Sequence, residues 1–175
     1  MAAQIVRRIF ADRPIDRDLP EEEFKKVFDA AVKEFEDGTP DGKKPSYLDQ
    51  IKLTPVTSEF DLVQRLHEHR ADIVVLKFWK RGCIPCLGFG EMYKAAEQHF
   101  KGKRVHFFAV DTKQESCFGT CAYQLVEGTP TLQVFHGGRQ IGEEIMSTSL
   151  SAFCDRIDSY KALCGLPVSD GAEPK

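Results

Sequence analysis

Residues 76–90 read LKFWKRGCIPCLGFG. Two cysteines, Cys83 and Cys86, stand just past DIVVLKFW (72–79), a β-branched, apolar run too rich for a solvent-exposed edge strand. A helical pattern follows, carried by Met92, Tyr93, Ala96 and Phe100. The pair therefore falls where a strand ends and a helix begins. Three readings of C-x-x-C stay open here: a working dithiol, half of a metal site, or a remnant in a protein that only holds something. A helix N-terminus turns unpaired N–H groups toward Cys83 and favours its thiolate, and Lys80 and Arg81 push the same way. As a dithiol, an exposed Cys83 would attack a disulfide, and Cys86, one turn deeper, would resolve the mixed disulfide. Pro85 restricts the backbone between them.

Outward from this stretch, RVHFFAVD (104–111) is a second central strand, and TLQVFH (131–136) pairs with a stretch around 140–146 across HGG as an antiparallel hairpin. IKL (51–53) reads as a short strand. Thr57 or Ser58 caps a helix that lines up Phe60, Val63 and Leu66, and a last helix over about 149–164 lines up Leu150, Phe153, Ile157 and Leu163. A short helix begins near residue 116. Upstream, residues 5–19 show no clean period, while 20–38 place Phe24, Val27, Phe28, Ala31, Val32 and Phe35 at helical spacing, with Pro20 in the first turn and Gly38 as the stop. Residues 38–50 read as a loop. The expected organisation is an N-terminal extension (1–50) with an amphipathic helix over about 20–36, an α/β domain (51–165) with a mixed central sheet flanked by helices, and a polar tail (166–175). The apolar stripe of the extension either packs on the main domain or receives a partner protein.

The chain has 175 residues and a formal net charge of -3, which speaks against a nucleic-acid partner. Six unevenly spaced cysteines are too few for a disulfide scaffold. No secretory h-region and no long apolar run is present, so the expectation is an intracellular, soluble protein without a membrane span. Cytoplasm, mitochondrion and plastid stay open.

FWKRGCIPC resembles the active-site segment of the thioredoxin family, in which Phe and a second aromatic residue lead through two variable residues to Trp-Cys-Gly-Pro-Cys. VEGTPT (126–131) resembles the stretch around the family's cis-proline, and HGG (136–138) its hairpin turn. The likeness covers about residues 51–162 and implies a thioredoxin-like fold. It implies Cys83 as nucleophile, Cys86 as resolving thiol, and Thr129 with a cis-Pro130 beside a substrate groove that Gly82, Ile84 and Pro85 also border. Gly82 stands where the family has Trp, Ile84 where it has Gly, and Leu87 where many members have Lys. Lys77 occupies the place of a buried Asp that assists proton transfer from the resolving thiol. A charged Lys77 near the sulfurs would stabilise thiolate and raise the reduction potential, a neutral one could itself be the base, and one that snorkels to water does neither.

Cys117 and Cys121, four apart, allow a secondary redox pair, ordinary semi-buried thiols, or, with Cys83 and Cys86, a zinc reading; the expectation is no metal. Cys154 reads as core and Cys164 as a plain thiol. His67, His69, His99, His106 and His136 have no metal or triad spacing, and HGGRQ lacks the context of a nucleotide site, so no cofactor is expected. The resemblance implies a thiol–disulfide oxidoreductase that acts on protein disulfides and draws on an external reductant. The alternative is a thioredoxin-fold subunit or interaction module of a larger assembly, with helix 20–36 as its anchor.

Overall fold

The computed structural model describes residues 2–11, 16, 18–145 and 149–168. Three helices, α1 (Ala2–Ile9), α2 (Glu21–Asp37) and α3 (Tyr47–Ile51), precede the first strand. The chain then runs β1 (Pro55–Val56), α4 (Glu59–Glu68), β2 (Ile73–Trp79), α5 (Ile84–His99), β3 (Val105–Asp111), a 3-10 turn (Glu115–Cys117), α6 (Phe118–Tyr123), β4 (Thr131–His136), β5 (Arg139–Gln140) and α7 (Leu150–Leu163). The sheet has five strands in the order β1-β3-β2-β4-β5. β1, β3 and β2 are parallel; β4 runs antiparallel to β2 and to β5.

The central strand β2 is buried on both faces, as its unbroken apolar run requires. Its alternate side chains enter two cores. Ile73 and Val75 meet Phe89, Tyr93 and Ala96 of α5 and Phe153 and Ile157 of α7. Val74, Leu76 and Phe78 meet Leu62 of α4, Phe108 and Val110 of β3, and Cys117. The period of two puts Lys77 on the face of Ile73 and Val75, beneath α5. Ser58 caps α4 by accepting from the Asp61 N–H, and Ser149 caps α7 by accepting from the Ala152 N–H.

The extension forms a third core. Ile5 and Ile9 of α1, Ala31 and Val32 of α2, and Tyr47 and Ile51 of α3 close over Leu87 of α5. Tyr47 Oη donates to the Leu87 carbonyl at 2.6 Å, and its ring stacks on Phe35. The C-terminal half of the α2 stripe thus packs with α1 and α3 in this third core over Leu87, while Phe24 and Val27 stay 36% and 50% exposed. Gly38 ends α2 with φ 76, and a side chain there would strike the backbone of Lys44 and Ser46.

Several boundaries differ from those expected. Residues 5–9, without a clean period in sequence, lie in α1, where Ile5 and Ile9 are buried. Part of the 38–50 loop and the IKL strand are replaced by α3, capped by Ser46 and ended by Lys52 in a left-handed conformation (φ 38). A three-residue stretch with two apolar residues suits either state, and packing of Tyr47 and Ile51 at i, i+4 decides for helix up to Ile51. The edge strand lies instead at Pro55–Val56, opposite Ala109 and Val110. The hairpin's second strand is limited to Arg139–Gln140, although the Ile141 and Ile145 N–H groups still bond to Val134 and Leu132. Its expected end at 146 lies outside the described residues. Leu166, counted with the tail, is buried in the first core; the tail from 169 lies outside the described residues.

Candidate active site at the head of α5

β2 delivers Trp79 to the C-terminal edge of the sheet, and Lys80, Arg81 and Gly82 turn the chain into α5. Gly82 sits at φ 72, in the left-handed region where a side chain is strained, although open space surrounds it. Cys83 is the N-cap of α5 and Pro85 lies in the first turn, where its missing N–H costs nothing. Cys83 and Cys86 are joined as a disulfide, Cα to Cα 5.2 Å. The Cys86 N–H donates to Cys83 Sγ at 3.2 Å. That amide and the helix dipole would favour a Cys83 thiolate once the pair is reduced. Cys83 keeps 6% of its surface exposed, whereas Cys86 is enclosed.

Facing Cys83, the Thr129–Pro130 peptide is cis. It brings Thr129 across the sulfur: the Thr129 hydroxyl donates to Cys83 Sγ at 3.5 Å, and the Thr129 carbonyl lies 3.5 Å from the same atom. The structure therefore brings together Cys83, Cys86, Thr129 and Pro130. Gly82 and Pro85 are exposed beside them, and Ile84 is half-buried.

Lys77 lies beneath the pair and is 1% exposed. It does not snorkel. Its Nζ donates to the Cys86 carbonyl at 3.1 Å and stands 5.7 Å and 5.9 Å from the ring centres of Tyr93 and Phe89. Burial lowers its pKa from the ordinary lysine value to about 7. A neutral amine still donates to a carbonyl, so this hydrogen bond persists in either charge state. Lys80 points to solvent, and Arg81 is ion-paired with Asp37 of α2.

One group at the site escaped the sequence reading. Glu36, on the last turn of α2, is 2% exposed, and its Oε1 accepts from the Gly82 N–H at 2.7 Å. Burial raises its pKa, while the Gly82 N–H and the Arg81 charge act in the opposite direction. Its signal was present in the chain: Glu36 follows Val32 by four, so it stands on the buried stripe among Phe28, Val32 and Phe35.

The other candidates lie apart. Cys117 is buried in the second core with its thiol toward the Val56 carbonyl, and Cys121 is free; burial raises the pKa of both thiols. Cys117 belongs to the 3-10 turn rather than to α6. His69 and His106, unremarkable in sequence, stack at 3.7 Å between ring centres, and His106 Nε2 lies 2.9 Å from Asp72 Oδ2. Ligand atoms of His69, Asp72 and His106 lie within 4.8 Å of one another. Near-parallel stacked rings, however, cannot aim two in-plane lone pairs at one ion, and Arg104 already donates to Asp72 Oδ1. The arrangement is that of a histidine stack hydrogen-bonded to Asp72.

The chain is similar to several solved thioredoxins. Fasciola hepatica thioredoxin shares 19% identity at a TM-score of 0.55, covering 62% of this chain and 100% of that one. A reduced Schistosoma mansoni thioredoxin pre-protein shares 21% identity at a TM-score of 0.52, covering 62% of this chain and 97% of that one. A thioredoxin solved in complex with ferredoxin:thioredoxin reductase shares 18% identity at a TM-score of 0.52, covering 62% and 94%. At these identities the likeness is one of fold. The thioredoxin family model matches residues 53–159, more than half of the sequence, and with the cysteine pair at the head of its helix this chain belongs to the thioredoxin family.

Proposed function

We propose that this protein is a thiol–disulfide oxidoreductase acting on disulfides of other proteins. The observation that carries the reading is the Cys83–Cys86 disulfide at the N-terminus of α5, with Thr129 and cis-Pro130 against its more exposed sulfur. In the reduced protein the Cys83 thiolate attacks one sulfur of a substrate disulfide. A mixed disulfide forms and the first substrate thiolate leaves, taking a proton. Cys86 then loses its proton and attacks Cys83 Sγ, which breaks the mixed disulfide and releases the second substrate thiol. Two electrons have passed to the substrate and the chain is left oxidised, so an external dithiol must reduce it again. A relative of the same fold is known in complex with a reductase, which supports a protein donor.

Lys77 takes the place beneath the pair as the base for Cys86. Its ammonium is destabilised by burial, so a substantial fraction is neutral near pH 7, and its Nζ lies at the Cys86 backbone. Gly82, Ile84, Pro85 and the Thr129–Pro130 edge border the groove for an extended substrate segment.

A glutathione redox titration with thiol trapping, paired with protein-disulfide reductase turnover of wild type and Cys83→Ser, tests the reading. The expected result is a reversible Cys83–Cys86 disulfide and turnover abolished in the mutant. A pair that cycles but reduces nothing, or never closes, would overturn it.

A second reading, a thioredoxin-fold module of a larger assembly, draws on exposed apolar side chains. Val63 and Tyr123 line a cleft of about 590 Å³ between α4 and α6, Phe60, Phe118 and Leu125 are exposed, and Phe24 and Val27 remain uncovered on α2. A monomer that stays soluble at high concentration speaks against this reading; association of the isolated chain speaks for it.

A further inference from the structure

The last turn of α2 lies outside the family-matched residues 53–159, yet it meets the active-site loop twice. Glu36 accepts from the Gly82 N–H at 2.7 Å, and Asp37 pairs with Arg81. Both contacts bear on the two residues immediately before Cys83. Neither acid is favoured locally: the last turn of α2 carries no basic residue, and the negative end of a helix dipole opposes anions there. Glu36 also bears the cost of burial, with 2% of its surface exposed. A helix that needed only to pack would be better served by an apolar or basic side chain at this position. The contact with Gly82 is what distinguishes the carboxylate.

Two consequences follow from that contact. The first is geometric. The hydrogen bond holds the left-handed Gly82, on which Cys83 is presented as N-cap of α5 and set against Thr129. The second is electrostatic. Three charged groups besides Glu36 face this corner: Asp37 on the same helix, Arg81 on the loop, and Asp111 at the end of β3. The Arg81 charge is matched by Asp37, Lys80 points to solvent and Lys77 lies on the Cys86 side of the pair, so Glu36 and Asp111 set a negative field on the Gly82 side of Cys83. A negative field one residue from Cys83 opposes formation of its thiolate, against the pull of the α5 dipole.

We propose that Glu36 is a positioning residue of the dithiol, supplied by the N-terminal extension, that clamps the Gly82 amide and restrains ionisation of Cys83. The extension thereby makes the pair a slower attacker and a stronger reductant than the same pair without the carboxylate. The inference rests on the reading of Cys83 and Cys86 as a working dithiol.

The test uses the full chain as wild type, Glu36→Gln, Glu36→Ala and Glu23→Gln. The last removes an exposed acid from the first turn of the same helix and reports any general surface-charge effect. The rate of Cys83 alkylation by iodoacetamide is followed against pH on reduced protein, with mass spectrometry to assign the modified cysteine. The glutathione midpoint is measured alongside. Glu36→Gln keeps an acceptor oxygen for Gly82 and removes only the charge. Its Cys83 should alkylate about three- to tenfold faster at pH 7, with the alkylation profile displaced to lower pH and the midpoint moved in the oxidising direction. Glu36→Ala should add faster amide exchange at Gly82, and Glu23→Gln should match wild type. A Glu36→Gln profile and midpoint equal to wild type, or a slower alkylation, would overturn the inference while a cycling, active wild type left the oxidoreductase reading standing. A wild-type pair that never cycles would overturn both. Should Glu36→Ala fail to fold, Glu36→Gln alone decides the matter of charge.

Discussion

At the scale of a residue, Lys77 is the decisive departure from the family pattern. The base role proposed for it requires a neutral amine, and burial lowers its pKa to about 7. Replacing Lys77 by Met should therefore slow release of the mixed disulfide by about tenfold or more near pH 8, and leave the rate of Cys83 alkylation unchanged. Slower Cys83 alkylation in this variant would show a fixed cation acting on the nucleophile and overturn the base role. The same substitution has a stability signature. At pH below 7 the folded and unfolded chains both hold the Lys77 proton, and the burial penalty is present in full. Between about 7 and the ordinary value of 10.5 only the unfolded chain holds it, so stability rises with pH across that window. The gain from Lys77→Met, on the order of 1–4 kcal/mol, should be largest at pH 6 and fade toward pH 10 in thermal melts.

At the scale of elements, the short helix α3 joins the extension to the active-site helix. Tyr47 stacks on Phe35 of α2 and donates to the Leu87 carbonyl in the first turns of α5. Ile51 and Tyr47 both lie against Gly90 of α5, where an added Cβ would come within 3.0 Å of each. That close approach explains a glycine inside a helix, which otherwise costs about 1 kcal/mol relative to alanine. Tyr47→Phe keeps the ring and removes only the hydroxyl. It should lower stability by about 1 kcal/mol in urea unfolding, with an unchanged m-value. Gly90→Ala should cost more, because the side chains of Tyr47 and Ile51 must move.

At the scale of the whole molecule, the three cores are unequal. The first two contain the sheet with α4, α5, α6 and α7, and the third consists of the extension closed on Leu87. We expect a chain lacking residues 1–50 to fold around the first two cores, melt at a lower temperature, and expose Leu87 and Ile84 next to the dithiol. Circular dichroism melts and binding of an apolar dye measure this. Loss of the cooperative transition would mean that the extension completes the main core. Among the described residues, no helix is long and apolar enough to cross a membrane.

Much of the fold is legible in the sequence. β2 and β3 were visible as apolar runs, the helices α2, α4, α5 and α7 as 3.6-residue patterns, and the hairpin as HGG between two strands, because periodicity and turn chemistry are local properties of the chain. The junction of strand, C-x-x-C and helix placed Cys83 and Cys86 for the same reason. Short elements are less legible: at 47–51 and 5–9 a few apolar residues suit either state, and docking on Leu87 selects helix. Chain-local pattern is enough to specify the α/β sheet and the position of the cysteine pair within it. The tertiary structure alone decided that Lys77 stays dry beneath Cys86 and that Glu36, forty-six residues away in sequence, reaches the Gly82 amide. Desolvation and long-range hydrogen bonds depend on which faces meet, and spacing along the chain does not record that.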